Sequence, residues 1–143
     1  MKTNENIKID KESLDKIVRR HGIIFLILFG SEISGKKHKE SDLDIAVLLS
    51  KTPAPEDFFS LFNSLSDIFS GKLHLVVLNE TDILFRHNIV VSGKLLYGDP
   101  LKFSRYRLLT HKMYLTDMPK ITRFYDKILE NNQDRLGRSI YGG

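Results

Sequence analysis

The sequence predicts one domain of the α/β or α+β class with helices at its C-terminal end. Short apolar runs alternate with segments in which apolar residues recur at helical spacing. The first two runs are joined by a hydrophilic loop of about a dozen residues rather than by a helix, which excludes a regular βαβ repeat. The 143 residues are enough for one hydrophobic core and few for two.

The N-terminal part of the chain is predicted to form one helix and two strands. The helix spans 9–20, with Asp10 as its N-cap and His21–Gly22 at its end. The runs "IIFLILF" (23–29) and "LDIAVLL" (43–49) are continuous and apolar, as is typical of strands that are buried on both faces.

The middle of the chain is predicted to alternate helix and strand. A helix at 55–69 has apolar residues at helical spacing that we expect in the core: Phe58, Phe59, Phe62, Leu65 and Phe69. A third strand follows at 72–78. The next helix is capped by Asn79 or Thr81 and ends at Gly93, and "KLLYGD" predicts a short edge strand.

The C-terminal segment is predicted to be helical over about 100–130. Pro119 is expected to split it into two helices, because proline removes an intrahelical hydrogen bond. The tail, 131–143, ends in glycines and is predicted to be mobile. The whole chain, 1–143, is therefore expected to be one domain with its core at about 10–99.

The composition is that of an ordinary globular protein, with 41% apolar and 28% charged residues. The chain has no cysteine, which excludes disulfides, thiolate metal sites and cysteine nucleophiles. The N-terminus lacks the apolar region of a signal peptide. The longest strongly apolar run has seven residues, far below the roughly 20 that span a bilayer. We therefore expect a cytoplasmic protein without a membrane partner.

The net charge of +4 is compatible with nucleic acid, an acidic protein or a polyphosphate as partner. Basic residues concentrate in "GKKHK" (35–39) and around Arg105, and each cluster is equally explained as a solvated face. Charge alone therefore does not predict nucleic-acid binding.

Two features flank the loop between the first two strands. Gly30–Ser31 follows a buried strand, where a glycine lets the backbone approach a phosphate closely, although a tight turn explains the pair as well. Asp42 and Asp44 open the next strand, and residues two apart on a strand point to the same face. Two carboxylates on one face suit Mg²⁺, whereas an Asx turn with a solvated Asp44 is the simpler explanation of a bare D-x-D.

The combined pattern is more specific than its parts. Gly30–Ser31, ten residues, and then Asp42 and Asp44 resemble the signature of the minimal nucleotidyltransferases of the DNA polymerase β superfamily. The order of elements through "GKLLYGD" matches that family's core, and the segment with "RFYDKIL" looks like the C-terminal part of its antitoxin-type members. The resemblance covers about residues 10–130.

The resemblance implies a nucleotidyltransferase fold, a small mixed sheet flanked by helices, that transfers AMP from ATP to an acceptor hydroxyl. Gly30 and Ser31 would hold the triphosphate, with Lys36 as a further phosphate ligand or a solvated loop residue. Asp42 and Asp44 would bind Mg²⁺, with Mn²⁺ as the alternative, in a two-metal site.

The chain departs from the family pattern at His74. Family members carry a third carboxylate at this position of the third strand, in a stretch that reads "HLVVLN" here. His74 is therefore a substituted catalytic residue acting as a general base, a relic in a weakened enzyme, or a plain strand residue. Imidazole also favours Mn²⁺ or Zn²⁺ over Mg²⁺. The other histidines (His21, His38, His87 and His111) lie at no recognisable ligand spacing and are expected to be surface or capping residues.

The resemblance implies the antitoxin of a toxin–antitoxin pair that adenylylates a HEPN-domain ribonuclease toxin. Alternating basic and aromatic residues in the C-terminal segment would form the contact surface, unless they pack on the core: Arg105, Tyr106, Arg123, Phe124 and Tyr125. One alternative is a nucleotidyltransferase-fold binding module that neutralises its partner by contact. Another is a small-molecule adenylyltransferase of the aminoglycoside type.

Overall fold

The computed structural model describes residues 9–30, 43–69 and 72–141, in which four strands form one sheet. The strands are β1 (Ile23–Phe29), β2 (Leu43–Leu49), β3 (Leu73–Val77) and β4 (Lys94–Tyr97). The helices are α1 (Lys11–His21), α2 (Pro55–Phe69), α3 (Ile83–Ser92) and α4 (Pro100–Tyr141), and a 3₁₀ turn spans Leu78–Glu80. The bounds of β1 and β2 confirm the predicted strands.

The sheet is mixed, with the strand order β3-β2-β1-β4. β1 lies at its centre and runs antiparallel to both β2 and β4, whereas β2 and β3 are parallel. A parallel pair needs a crossover connection, which α2 supplies. β4 is an edge strand, as its short apolar run predicted.

β1 is apolar along almost its whole length because its two faces contact different helices. Leu26 and Leu28 pack in one core cluster with residues of α1 and α2. Phe25 and Ile27 point to the other face and pack with residues of α3 and the start of α4. Alternate residues of a strand point to opposite faces, so a strand between two helical layers needs apolar residues at every position.

Asn79 joins the end of β3 to the end of β2. Its Oδ1 accepts a hydrogen bond from the Leu49 N–H at 2.9 Å, and its Nδ2 donates one to the Leu49 carbonyl at 2.7 Å. At the other end of the pair, the Leu43 N–H donates to the Lys72 carbonyl at 2.9 Å. These bonds hold the two parallel strands in one register.

The expectation that every phenylalanine of α2 belongs to the core is wrong for Phe59. Its side chain is 64% exposed, whereas Leu61 and Leu65 are fully buried. Phe58 and Phe62 are partly buried against the core. Successive helical residues are about 100° apart, so Phe59 turns away from the face that its neighbour buries.

The N-cap predicted for α3 is also wrong. Asp82, not Asn79 or Thr81, caps this helix, and its carboxylate accepts a hydrogen bond from the Phe85 N–H at 2.9 Å. Residues Leu78–Glu80, which precede the helix, form a 3₁₀ turn instead. The helix therefore begins later than predicted, at Ile83. The predicted end at Gly93 is confirmed.

The predicted split of the C-terminal segment at Pro119 is wrong. α4 is one helix of 42 residues with Pro119 inside it, and it ends at Tyr141 rather than near 130. The proline removes one hydrogen bond, to the carbonyl of Leu115, while the bonds of the neighbouring turns persist on both sides. Within the described ranges, no helix combines the length and apolar character that a bilayer span requires.

Two histidines that the sequence did not connect lie together where α3 meets α4. His87 Nε2 and His111 Nδ1 are 3.0 Å apart, and the Tyr114 ring stacks on the His87 ring with a 3.8 Å centroid separation. Burial, and secondarily the neighbouring His111, lower the pKa of His87. The hydrogen bond requires a proton on one of the two facing nitrogens and a lone pair on the other, so at least one of the two rings is neutral in this contact.

Candidate active site

Three of the predicted site residues meet at one end of the sheet. β1 ends at Phe29, which lies opposite Asp44 at the start of β2, and Gly30 follows directly. Asp44 in turn pairs with His74 across the parallel β2–β3 ladder. The strand pairing therefore places Gly30, Asp44 and His74 side by side, although they lie far apart in sequence.

Gly30 has the backbone conformation that the motif needs. Its φ of +84° lies in the left-handed region, which L side chains rarely adopt. A Cβ at this position would overlap with the Asp44 carboxylate, at its Oδ2. The glycine therefore ends β1 with a sharp turn and leaves room for the carboxylate beside it.

Asp44 and His74 are in direct contact. His74 Nδ1 lies 3.1 Å from Asp44 Oδ1, and the exposed fraction is 59% for the His74 side chain and 22% for that of Asp44. A carboxylate only accepts hydrogen bonds, so the contact requires the proton on Nδ1. In the neutral ring Nε2 then carries the lone pair, so this nitrogen of an exposed ring can accept a hydrogen bond from a substrate.

The remaining predicted site residues, Ser31, Lys36 and Asp42, lie outside the described residues, so their roles in phosphate and metal binding remain predictions. In the described ranges no group of three or more histidine or acidic side chains is arranged to hold a metal ion. Asp44 would contribute one carboxylate to such a site; its Oδ1 contacts His74 and its Oδ2 lies beside Gly30. The Asp44 carboxylate is a hard oxygen donor with only 22% of its side chain exposed, and Gly30 beside it has no side chain. Such a donor suits Mg²⁺.

Sequence reasoning missed a group of basic residues at the opposite end of the sheet. Arg19, Arg20 and Lys51 line one cavity there. The first two lie in the last turn of α1 and the third follows β2, so no spacing in the sequence indicates that they meet.

The profile of the family described as "Polymerase beta, Nucleotidyltransferase" matches residues 12–100. Two curated relatives are each named protein adenylyltransferase MntA. The protein of Shewanella oneidensis is 26% identical over 94% of this chain and 94% of its own length. The protein of Aphanizomenon flos-aquae is 32% identical over 78% of this chain and 81% of its own length.

Solved structures share the fold. One, described as a toxin–antitoxin with AMP-PNP, superposes with a TM-score of 0.70 at 24% identity and covers 85% of this chain and 99% of its own. Another, described as a tri-AMPylated Shewanella oneidensis HEPN toxin in complex with MNT antitoxin, has a TM-score of 0.65 at 22% identity over 89% and 98% of the two chains. With the family profile, the 32% identical relative and the geometry at Gly30 and Asp44, the chain belongs to the polymerase β nucleotidyltransferase family.

Proposed function

We propose that this protein is the antitoxin of a HEPN toxin–antitoxin pair and transfers AMP from ATP to a hydroxyl of the toxin. The observation that carries the proposal is the meeting of Gly30, Asp44 and His74 at one end of the sheet, in a chain of this family. The names of the two relatives and the HEPN complex of a similar fold support the acceptor and the partner.

In the proposed reaction the acceptor oxygen bonds to the α-phosphorus of ATP and the bond to the bridging oxygen breaks. Pyrophosphate leaves with the electron pair of the broken bond, and the hydroxyl proton passes to water. Gly30 and Ser31 hold the triphosphate, with Lys36 as a further phosphate contact, and Asp42 and Asp44 hold Mg²⁺ or Mn²⁺. Divalent cations in such a site neutralise the developing charge and activate the acceptor oxygen.

His74 takes part by orienting Asp44. Its Nδ1–H holds Asp44 Oδ1 in place, which leaves Oδ2 beside Gly30 free to serve as a ligand. Since the imidazole adds no negative charge, His74 does not reproduce a third carboxylate. It acts as a positioning residue in the place where related enzymes carry an acid.

His74→Asn and His74→Ala test this role against that of a general base. Asparagine keeps an N–H donor near Nδ1 but has no basic nitrogen, so we expect its transfer rate within about tenfold of wild type. Alanine removes the donor, so the transfer rate of His74→Ala should be about tenfold lower than that of His74→Asn. This difference corresponds to roughly 1.4 kcal/mol in the activation barrier. Initial rates of label transfer from α-³²P-ATP measure both, and rescue by Asn should appear in kcat.

Equal and severe losses in the two variants would contradict positioning and indicate a base at Nε2. His74→Asp completes the series, because it restores a carboxylate opposite Asp44. If wild type transfers no label and only His74→Asp does, the native protein is not an enzyme, and neutralisation by contact becomes the function.

The part of α4 past Asp117, called its far half, offers a surface for the partner, and the near half is the part from Pro100 to Asp117. Phe103 is buried and its ring lies 5.3 Å from that of Phe25, so the start of the helix packs on the core. Tyr106 packs there as well, and burial raises the pKa of its phenol. Past Asp117 the helix carries exposed aromatics, with Phe124 at 63% and Tyr125 at 59% exposure.

The sequence is compatible with two uses of these residues, contact with the partner or packing on the core. The structure favours core packing for Tyr106 and exposes Phe124, Tyr125 and Leu129. Exposed leucines lie on both halves of α4, whereas the exposed phenylalanine and tyrosine among its described side chains lie past Asp117, and such aromatic residues are enriched at protein interfaces. We therefore place toxin contact on the far half of α4.

Phe124→Ser/Tyr125→Ser is expected to weaken the complex with the toxin by about a hundredfold or more, since buried aromatic anchors often contribute about 2 kcal/mol each. Size-exclusion chromatography and calorimetry measure the loss. Leu101→Ser/Leu108→Ser is the matched control, because it removes two leucines exposed on the near half. Unchanged affinity in the aromatic variant, or an equal loss in the control, would contradict this placement.

The proposed activity is tested directly with the purified protein, α-³²P-ATP, Mg²⁺ or Mn²⁺, and the HEPN-domain product of the neighbouring reading frame. We expect label on the toxin and release of unlabelled pyrophosphate. Label from γ-³²P-ATP on the toxin would instead indicate phosphoryl transfer. No label on the toxin with either metal, while the complex still forms, would leave the binding module as the function.

A further inference from the structure

A polar cavity lies at the end of the sheet opposite the proposed active site. It has a volume of about 480 Å³ and lies between the end of α1, the segment after β2 and the start of α2. Asp44 is the second residue of β2, and Ser50 follows its last residue. At about 3.3 Å per residue, the two positions lie roughly 20 Å apart. This cavity is therefore separate from the site at Gly30 and Asp44.

Its walls carry more positive than negative charge. Arg19, Arg20 and Lys51 line the cavity, and Asp57 is the carboxylate among its described lining residues. No ion pair or hydrogen bond joins the three cationic groups to other side chains in the part of the chain that the structure describes. The dipole of α1 favours the two arginines in its last turn. It does not account for Lys51, which reaches the same cavity from another segment.

His21, one of the residues that line the cavity, has a polar atom without a hydrogen-bond partner among the described residues. This atom, Nε2, is buried. Burial, followed by the nearby Arg20, lowers the pKa of His21, while Asp57 acts in the opposite direction. Since Nε2 is closed off from solvent, His21 lies beside the cavity as a neighbour of the arginines and does not contact a ligand through this atom.

The backbone around His21 is held in place. The Ser50 N–H donates a hydrogen bond to the Gly22 carbonyl at 2.9 Å. Gly22 has a φ of +68°, and a Cβ there would overlap with Ser50 Oγ. This hydrogen bond joins the segment that carries the arginines to the segment that carries Lys51. The fold therefore holds the basic groups near one another without a ligand.

We propose that this cavity binds a phosphate-bearing anion, either inorganic pyrophosphate or the phosphate of a mononucleotide. Guanidinium groups match phosphate oxygens with paired N–H donors, and a lysine adds a point charge. Ser50, which also lines the cavity, adds a hydroxyl that can donate to a phosphate oxygen. The site goes beyond the proposed adenylyl transfer and does not depend on it.

The experiment follows histidine side-chain NMR signals during titration with pyrophosphate and, separately, AMP in metal-free buffer with EDTA. We expect saturable shifts of His21 while His74 of the proposed active site stays unmoved. Saturation by pyrophosphate alone identifies a free phosphate ligand, and saturation by AMP identifies a nucleotide. Because neither metal, ATP nor toxin is present, failure of adenylyl transfer would not affect this result.

Arg19→Gln/Arg20→Gln should weaken binding by about tenfold or more. The matched control is Lys11→Gln/Lys16→Gln, which makes the same change in net charge on the same helix away from the cavity and should change affinity less than twofold. Lys51→Gln gives an independent test from the other segment. Equal losses in the arginine variant and the control, shifts that rise without saturation, or an unmoved His21 would overturn the proposal.

Discussion

Asp44→Asn is expected to lower the rate of AMP transfer to the toxin by about a thousandfold or more, which corresponds to roughly 4 kcal/mol in the activation barrier. The substitution removes one negative charge from the group that we propose as a metal ligand. It keeps the shape of the side chain and an oxygen that can still accept the His74 N–H. The loss should therefore come from chemistry rather than from folding.

Initial rates at saturating Mg²⁺, together with urea unfolding, separate these two causes. Glu56→Gln is the matched control, because it makes the same change in charge at an exposed position in the first turn of α2, outside the proposed toxin surface. We expect it to leave both the rate and the stability close to wild type. A rate for Asp44→Asn within tenfold of wild type would remove Asp44 from the proposed metal site.

Gly30→Ala is expected to reduce transfer by about a hundredfold while the protein still folds. The left-handed conformation costs a residue with a Cβ about 1–2 kcal/mol. The new methyl group would also overlap with the Asp44 carboxylate and force it away from its present position. Displacement of Asp44 would in turn break its contact with His74.

Gly98→Ala distinguishes damage to the site from general strain. Gly98 also has a positive φ, of +130°, and a Cβ there would overlap with Phe25 and the Ile24 carbonyl. We expect this control to lose stability in urea unfolding but to keep its rate per folded molecule. Equal losses of rate in the two glycine variants would show that strain alone inactivates the protein.

The local signals in the sequence predicted most elements because short-range physics determines them. The apolar runs of β1 and β2 gave the observed strand bounds, and Gly22 and Gly93 end helices as predicted. The prediction at Pro119 was wrong because one missing hydrogen bond does not end a helix whose other turns remain intact. Phe59 was misplaced because helical spacing alone does not define which face meets the core.

The candidate site was only partly predictable for the same reason. Gly30 and Asp44 follow from a local spacing, whereas the position of His74 depends on the pairing of β3 with β2. His87 and His111, and likewise Arg19 and Lys51, come together only when separate segments pack. No sequence spacing records such meetings, because each depends on the order of strands and on which helix covers which face.

The sequence by itself thus determined the strands, most helix ends and the spacing of the glycine and aspartate motif, since neighbouring residues set backbone conformation and hydrophobic pattern. Only the tertiary structure decided that His74 contacts Asp44, that Gly30 makes room for that carboxylate, and that a basic cavity forms at the opposite end. These features require contacts between residues far apart in the chain. Those contacts exist only after the strands have paired and the helices have packed on the sheet.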